Sequence, residues 1–362
     1  MAERRAWHRR ARRRAADAAP YGQGEYAAAA GGAVRRLWIA ALLAVSLAAA
    51  VPGATAGAKG RGRAGAAAGT PIVAADQATR SVYVLDSDRR EWDAESEDRG
   101  VLWSWSADGR QALEDLDPAR TWTNPSEVKL RRLDGRRYLL TAASGGLAAV
   151  VGYPDREVYW AADTGEGNAH SIELLPDGNV AVAASTGGYV RLYAASAGSR
   201  VTRHTQTALA GAHGVHWDPR TRLLWALGSR QLVALRVGGT PGDPELSVDR
   251  RVELPTRGGH DLAPVLSTPG RLWVTTRSAV YQYSTVEEAF VAYPLRSRID
   301  GPDVKSVGDD PDTGRVLVSR PEPGHACAWC TTTLVLYQPD GTRTLLRGGM
   351  YKARWWSADR GG

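Results

Sequence analysis

The stretch GNAHSIELLPDGNVAVAASTGGYVRLYAAS, residues 167–196, decides the fold. It consists of short alternating runs of apolar and polar residues, and the turn sequence PDGN interrupts them. Runs of this kind are typical of β-strands joined by tight turns. A related stretch, GAHGVHWDPRTRLLWALGSRQLVALRV, begins at Gly211, and a histidine stands before the strand pattern in both. The sequence therefore contains a repeat of β-strands.

The repeat extends through most of the chain. Six segments that follow Gly-rich or Pro-rich loops align as SEVKLRR, NAHSIEL, GAHGVHW, GGHDLAP, PDVKSVG and MYKARWW. The aligned basic or imidazole residues are Lys129, His170, His213, His260, Lys305 and Lys352. Their spacings of 41, 43, 47, 45 and 47 residues match a four-stranded propeller blade of about 40–50 residues. No stretch after Pro71 shows helical periodicity.

The ends of the chain are predicted to complete one blade together. The unit at Lys352 has a single strand, whereas the N-terminal part supplies the three strands PIVAAD, SVYVLDS and VLWSWSA. A C-terminal inner strand at about 351–357 should therefore join the strands at about 71–107, which removes open sheet edges. The sequence thus predicts an all-β, six-bladed β-propeller over residues 71–362.

Two segments carry a resemblance to known propellers. LLPDGNVAVA and DPDTGRVLV resemble the six-bladed secreted propellers of the NHL, YVTN and SMP-30-like superfamily, and the sequence is most similar to uncharacterised secreted bacterial propellers. This resemblance implies the fold and an extracellular location. It implies no activity, because unrelated functions share the propeller architecture.

The basic residues are concentrated in the leader. Residues 1–56 contain nine arginines and three acidic residues, which leaves 37 basic and 36 acidic residues in the remainder. The near-neutral remainder gives no support for nucleic-acid binding. A basic start, an apolar run at 37–51 and the small residues ATA predict a signal peptide cut near Ala56 or Ala58. An uncleaved anchor is the alternative.

Residues 57–70 should then be a flexible linker, and the exported protein should be a monomer without a stable membrane anchor. Export also bears on the only two cysteines, Cys327 and Cys330 in the sequence CAWC. In an oxidising compartment such a pair is most often a small disulfide.

The aligned His and Lys residues should lie at one mouth of the central channel, because the first strand of each blade lines that channel. Side chains alternate with period two, so Glu127, Asn168 and Asp303 should also face inward. Two residues further on, Ile172, Val215, Leu262 and Val307 predict a largely apolar plug that contains Arg131 and Arg354. The turn residues Arg80, Arg230 and Arg277 should add charge, and Trp122 could stack on a sugar.

Three functions fit this mouth. The lysines and arginines could hold an anionic small molecule or an acidic carbohydrate. His170, His213 and His260 could instead bind a divalent metal ion, an arrangement that resembles oligogalacturonate lyases and implies a metal-assisted lyase of uronate-containing glycans. In that mechanism the same histidines would be catalytic. A protein-interaction scaffold is the third alternative, and it would require an exposed apolar patch such as one around Trp355 and Trp356.

Overall fold

The fold comes from a computed structural model that describes residues 69–96, 99–325 and 327–356. The predicted leader at 1–56 and all but the end of the predicted linker at 57–70 lie outside the described residues. The strands in chain order are β1 (Ile72–Asp76), β2 (Ser81–Leu85), β3 (Glu91–Asp93), β4 (Val101–Trp105), β5 (Pro125–Leu133), β6 (Arg136–Ala143), β7 (Leu147–Tyr153), β8 (Val158–Asp163), β9 (Ala169–Leu174), β10 (Val180–Ala184), β11 (Tyr189–Tyr193), β12 (His204–Ala208), β13 (Gly214–Asp218), β14 (Leu223–Leu227), β15 (Gln231–Thr240), β16 (Asp243–Glu253), β17 (Asp261–Pro264), β18 (Arg271–Thr275), β19 (Val280–Ser284), β20 (Ala289–Val291), β21 (Ser306–Asp309), β22 (Val316–Ser319), β23 (Thr333–Tyr337), β24 (Gly341–Leu346) and β25 (Met350–Trp355).

These strands form six antiparallel blades, which confirms the predicted six-bladed β-propeller. From the inside outward, blade one is β25-β1-β2-β4, blade two is β5 to β8, and blade three is β9 to β12. Blade four is β13 to β16, blade five is β17 to β20, and blade six is β21 to β24. The inner strands of neighbouring blades contact one another around the ring, from β5 through β9, β13, β17, β21 and β25 back to β5.

The predicted closure is confirmed, and a second closure accompanies it. Strand β25 pairs with β1 in antiparallel register, with Ile72 opposite Trp355. Strand β3, which belongs in sequence to blade one, instead pairs in parallel with β24 and forms a fifth strand on blade six. Its central residue, Trp92, is completely buried and donates a hydrogen bond from Nε1 to the Asp86 carbonyl at 2.7 Å. Strand β3 is not among the strands that the sequence predicts.

The hydrophobic core is divided among the blade interfaces. Each cluster of buried apolar side chains joins residues from two adjacent blades, as Val84 of blade one and Leu139 of blade two do. Aliphatic side chains such as Leu139 and Val150 are completely buried in these clusters. Burying a side chain of this kind stabilises a fold by about 1.5–3 kcal/mol. The core therefore holds the blades together and leaves the channel to polar groups.

Helices are few in the described part of the chain. The α-helices are α1 (Pro118–Thr121) and α2 (Arg296–Ile299), and 3₁₀ turns occupy Gln111–Leu116 and Ala195–Ala197. None of the helices within the described ranges has the length and apolar character needed to cross a bilayer.

Candidate functional site

The inner strands all begin at the same face, which we call the upper face. At that end, β5, β9 and β25 each contain a register shift, which falls at Ser126, His170 and Tyr351, respectively. The corresponding residues of the other blades directly precede the first paired residue of the inner strand. These six residues form what we call the upper ring: Ser126, His170, His213, His260, Lys305 and Tyr351.

The predicted histidines come together in this ring. The imidazole centroids of His170 and His213 are 4.5 Å apart, and those of His213 and His260 are 5.0 Å apart. Tyr351 lies across from this row, with its ring centroid 6.0 Å from that of His170 and 5.8 Å from that of His260. Lys305 Nζ donates to His260 Nε2 at 3.2 Å. Four residues of the predicted ring therefore do meet at one mouth.

The ring imidazoles are neutral at pH 7. Burial lowers the pKa of His213 to about 4, and the charges of Lys352 and Lys305 act in the same direction. The pKa of His170 is likewise well below its ordinary value because of burial and the neighbouring His213. For His260 the causes are burial and then Lys305. The Gly211 carbonyl, 2.9 Å from His213 Nδ1, can only accept a hydrogen bond, so a neutral His213 carries its proton on Nδ1.

Lys129 and Lys352, predicted at the mouth, lie deeper in the channel. Both are buried, and their places in the upper ring are taken by Ser126 and Tyr351. They belong to a group that we call the ionic cluster: Glu127, Lys129, Arg131, Glu173, Asp261, Lys352 and Arg354. Glu127 was also predicted at the mouth, and that prediction is wrong, because Glu127 is buried deeper in the channel within the ionic cluster.

Arginine–carboxylate pairs organise the ionic cluster. Arg354 donates to both oxygens of Glu127 at 2.9 and 3.1 Å and to Asp261 at 2.6 and 3.3 Å. Arg131 binds Glu173 in bidentate fashion at 2.6 and 2.7 Å. Burial alone would raise the pKa of Glu127, but Arg354, Lys352 and Lys129 lower it overall. The three carboxylates are therefore ionised, because each faces cations at close range.

The prediction of a largely apolar plug is wrong. Ile172, Val215, Leu262 and Val307 pack into the hydrophobic clusters between blades, and they do not fill the channel. The channel side of the inner strands carries the ionic cluster instead. A difference of one residue in register moves a side chain to the opposite face of its strand. The channel-facing side chains are direct sequence neighbours of these apolar residues, such as Glu173, His216 and Asp261.

The other predicted ligand residues are dispersed. Arg277, Asp303 and Arg230 are exposed near the mouth, and the Asp303 amide donates to the Arg277 carbonyl at 3.0 Å. Asn168 is partly buried, and its Oδ1 accepts no hydrogen bond from the described residues. Arg80 is committed to Asp108, at 2.8 Å, and to the Pro118 carbonyl.

Trp122 does not provide a stacking surface, and that prediction is wrong. Its side chain is completely buried, and its indole Nε1 donates to the Arg80 carbonyl at 2.8 Å. The Trp105 ring contacts it edge to face at 5.2 Å. Trp122 is therefore part of the core between blades one and two.

The described residues contain no group of three or more His, Cys, Asp or Glu side chains arranged to hold a metal ion. The planes of adjacent imidazole rings are inclined at 76° between His170 and His213 and at 57° between His213 and His260. Lys305 also occupies the Nε2 lone pair of His260. The metal site predicted from His170, His213 and His260 is therefore not formed in this arrangement.

The predicted disulfide is confirmed. Cys327 and Cys330 are bonded, and their loop follows β22 at the upper face. Trp329 Nε1 donates to Gln77 Oε1 at 2.8 Å, and Gln77 Nε2 in turn donates to the Pro125 carbonyl at 3.2 Å. The loop is therefore fixed to blades one and two next to the channel mouth.

Several channel residues were not predicted as functional residues: Tyr351, Ser171, Glu173 and Asp261. A consistent register would have found them. Ser171 and Glu173 alternate along HSIEL on one face of the strand, and Asp261 directly follows the ring histidine in GGHDL.

Comparisons with known proteins give the family but no activity. The sequence profile of DUF6528, described as a family of unknown function, matches residues 37–360. No curated protein matches the chain. A solved structure described as a protein of unknown function from Bacteroides caccae shares 12% identity with a TM-score of 0.45, and the match covers 74% of this chain and 89% of that one.

Proposed function

We propose that this chain, which belongs to the DUF6528 family, binds an anionic small molecule at the upper ring, with acidic carbohydrates as the ligand class. The observation that carries the proposal is the state of Lys352. Its side chain is completely buried, and its Nζ makes no hydrogen bond of good geometry within the described residues, although Asp261 Oδ1 lies 3.1 Å away.

The charge of Lys352 acts on the upper ring. It helps to lower the pKa of His170, His213 and His260, so it acts as a positive charge close to all three imidazoles. Lys305 adds a second positive charge beside His260. Neutral imidazoles can donate hydrogen bonds, and Nδ1 of both His170 and His260 is without a partner among the described side chains and backbone. Together these groups favour a carboxylate or sulfate and disfavour a cation.

A groove on the upper side of blade five supports a carbohydrate as the ligand. Its volume is about 640 Å³, and it is lined in part by Ser278, Arg296, Ser297 and Asp300. Arg277 directly precedes Ser278 of this groove. Burial lowers the pKa of the Lys305 ammonium most, and the nearby charge of Arg277 lowers it further. A groove of this size accommodates a sugar unit, and hydroxyl, guanidinium and carboxylate groups are suitable partners for its hydroxyls.

The geometry favours binding over lyase chemistry. An imidazole whose pKa is about 4, such as that of His213, is a weak base for removing a proton from carbon at neutral pH. The scaffold alternative has less support, because Trp355 is buried and Trp356 packs on Tyr153 at 4.6 Å. The exposed large hydrophobic side chains of the described residues, Leu102, Val248 and Val286, belong to three different blades.

An extracellular location remains part of this proposal. It follows from the signal peptide predicted at 1–56, from the resemblance to secreted propellers of the NHL, YVTN and SMP-30-like superfamily, and from the disulfide. A cut near Ala56 or Ala58 and a monomeric state belong to the same proposal.

Replacing Lys305 with methionine should weaken the binding of uronate oligosaccharides by roughly 10- to 100-fold, because a charge-assisted hydrogen bond to the ligand is lost. Calorimetric titration at two salt concentrations measures this effect and also the loss of salt dependence. Arg136→Met is the matched control, because it removes an exposed arginine at the other face. Anion recognition would be refuted if the two variants bound uronate oligosaccharides with equal affinity. It would also be refuted if the parent protein bound neutral oligosaccharides as tightly as uronate oligosaccharides. Formation of unsaturated products would restore the lyase alternative.

A further inference from the structure

The lower end of the channel contains a small cavity that the upper ring does not use. Three cationic side chains and one imidazole line it: Lys129 and Arg131 from β5, Arg354 from β25 and His216 from β13. Apolar residues of blade five and Trp355 form the rest of the wall, together with Asp309. The free volume is about 30 Å³, which holds one or two water-sized occupants and no sugar ring.

The cations around this cavity exceed the carboxylates that they contact. The ionic cluster contains four cations and three carboxylates, and the arginines bind those carboxylates at the shortest distances. Asp309 adds one carboxylate to the cavity wall, and it accepts hydrogen bonds from Trp273 Nε1 and from the Leu266 and Ser267 amides. Three cations, Lys129, Arg131 and Arg354, line the same wall.

Lys129 is the cation with the weakest pairing at this end. Its Nζ donates to the neutral Ser171 hydroxyl at 3.2 Å and to the Val215 carbonyl, and Glu173 and Glu127 are 3.5 and 3.9 Å away. Burial lowers the pKa of Lys129 to about 8. The charges of Arg131 and Arg354 also lower this pKa, whereas those of Glu173 and Glu127 raise it. The ammonium therefore donates its hydrogen bonds to neutral oxygens, and its two carboxylate neighbours lie at the longer distances of 3.5 and 3.9 Å.

His216 provides an independent observation. Its side chain is 3% exposed, and its Nδ1 makes no hydrogen bond with the described residues, since the nearest carboxylate oxygen, on Glu173, is 3.6 Å away. A buried polar atom of this kind normally has a partner. The imidazole lines the same cavity as the three cations.

We propose that this cavity binds one small monovalent inorganic anion of the size of chloride, held by Lys129, Arg131, His216 and Arg354. The anion faces the three cations of the cavity wall and offers His216 an acceptor. The cavity is too small for a carbohydrate, and the surrounding cations repel metal ions. This site is separate from the upper ring and does not depend on the function proposed for it.

The test uses the whole exported protein in sodium chloride and in sodium methanesulfonate at equal ionic strength. Chloride should raise the melting temperature in a saturable manner, by about 3–6 °C at a hundred times its Kd. Lys129→Met should abolish the difference between the two salts, and Lys305→Met at the upper ring should retain it. Equal melting temperatures of Lys305→Met in both salts, or a chloride effect that survives in Lys129→Met, would overturn the proposal.

A second measurement does not depend on any variant. Crystals grown in bromide should show an anomalous scattering peak in the cavity between Lys129, Arg131 and Arg354. If the peak is absent and the stability instead changes near pH 8 without regard to the salt, Lys129 loses a proton to balance the charge. That outcome also overturns the anion site.

Discussion

The Arg354→Met variant is expected to unfold about 3–5 kcal/mol more easily than the parent protein. Arg354 is the shared partner of Glu127 and Asp261, and both carboxylates are completely buried. Without the guanidinium, the two buried negative charges would keep Lys352, at 3.7 and 3.1 Å, and Glu127 would also keep Lys129, at 3.9 Å. Equilibrium denaturation in urea, monitored by tryptophan fluorescence, measures the loss.

Two further variants separate charge from packing. Arg136→Met removes an arginine of the same type from exposed pairs with Asp155 and Glu157 and should cost less than about 1 kcal/mol. Arg354→Met combined with Asp261→Asn removes one charge of each sign and should recover part of the stability, because Glu127 keeps Lys352. A double variant that is less stable than Arg354→Met would show that the guanidinium acts by packing instead of by charge.

Acidification from pH 7 to pH 5 is expected to destabilise the propeller steeply. The folded pKa of His213 is about 4, so the unfolded chain binds more protons than the folded protein between pH 4 and pH 6.5. Stability therefore falls as the pH falls through that window, and His213 alone accounts for about 2 kcal/mol at pH 5. His170, His216 and His260 act in the same direction, because burial lowers their pKa values too.

The ionic cluster does not obscure this effect. The pKa values of Glu127, Glu173 and Asp261 are lowered in the folded protein, so the stability that they contribute is lost only below about pH 4.5, where the unfolded carboxylates take up protons. Denaturation curves at a series of pH values should show a shallower slope for His213→Gln. The slope of the exposed variant His204→Gln should equal that of the parent. A flat profile between pH 7 and pH 5 would contradict buried neutral imidazoles.

The sequence was sufficient for the fold because the propeller repeats its own pattern. The six blades and the shared blade at the two termini both follow from sequence, and both are confirmed. Strand β3 could not be found in the same way, because three residues carry too little periodicity to distinguish a strand from a loop. Its pairing with blade six depends on contacts distant in sequence.

The site was only partly predictable for a physical reason. Inner strands are buried on both sides, so β5 and β9 show no alternation that would reveal a bulge. Where no bulge intervenes, as at His213 and His260, the predicted positions are those of the upper ring. Beyond a bulge, sequence letters do not show whether a lysine faces water or a carboxylate, as Lys129 and Lys352 illustrate.

Strand β3 has a mechanical consequence. The first pair that joins β1 to β25 lies next to both ends of the described chain, so a force applied through the termini peels these strands apart one pair at a time, starting at Ile72 and Trp355. When β25 has separated from β1, blade one is still attached to blade six. Strand β3 remains paired with β24, Trp92 remains buried, and Asp93 remains paired with Arg347. Stretching the molecule should therefore break the β1–β25 and β3–β24 pairings in two successive events. The separation of β25 should require the lower force.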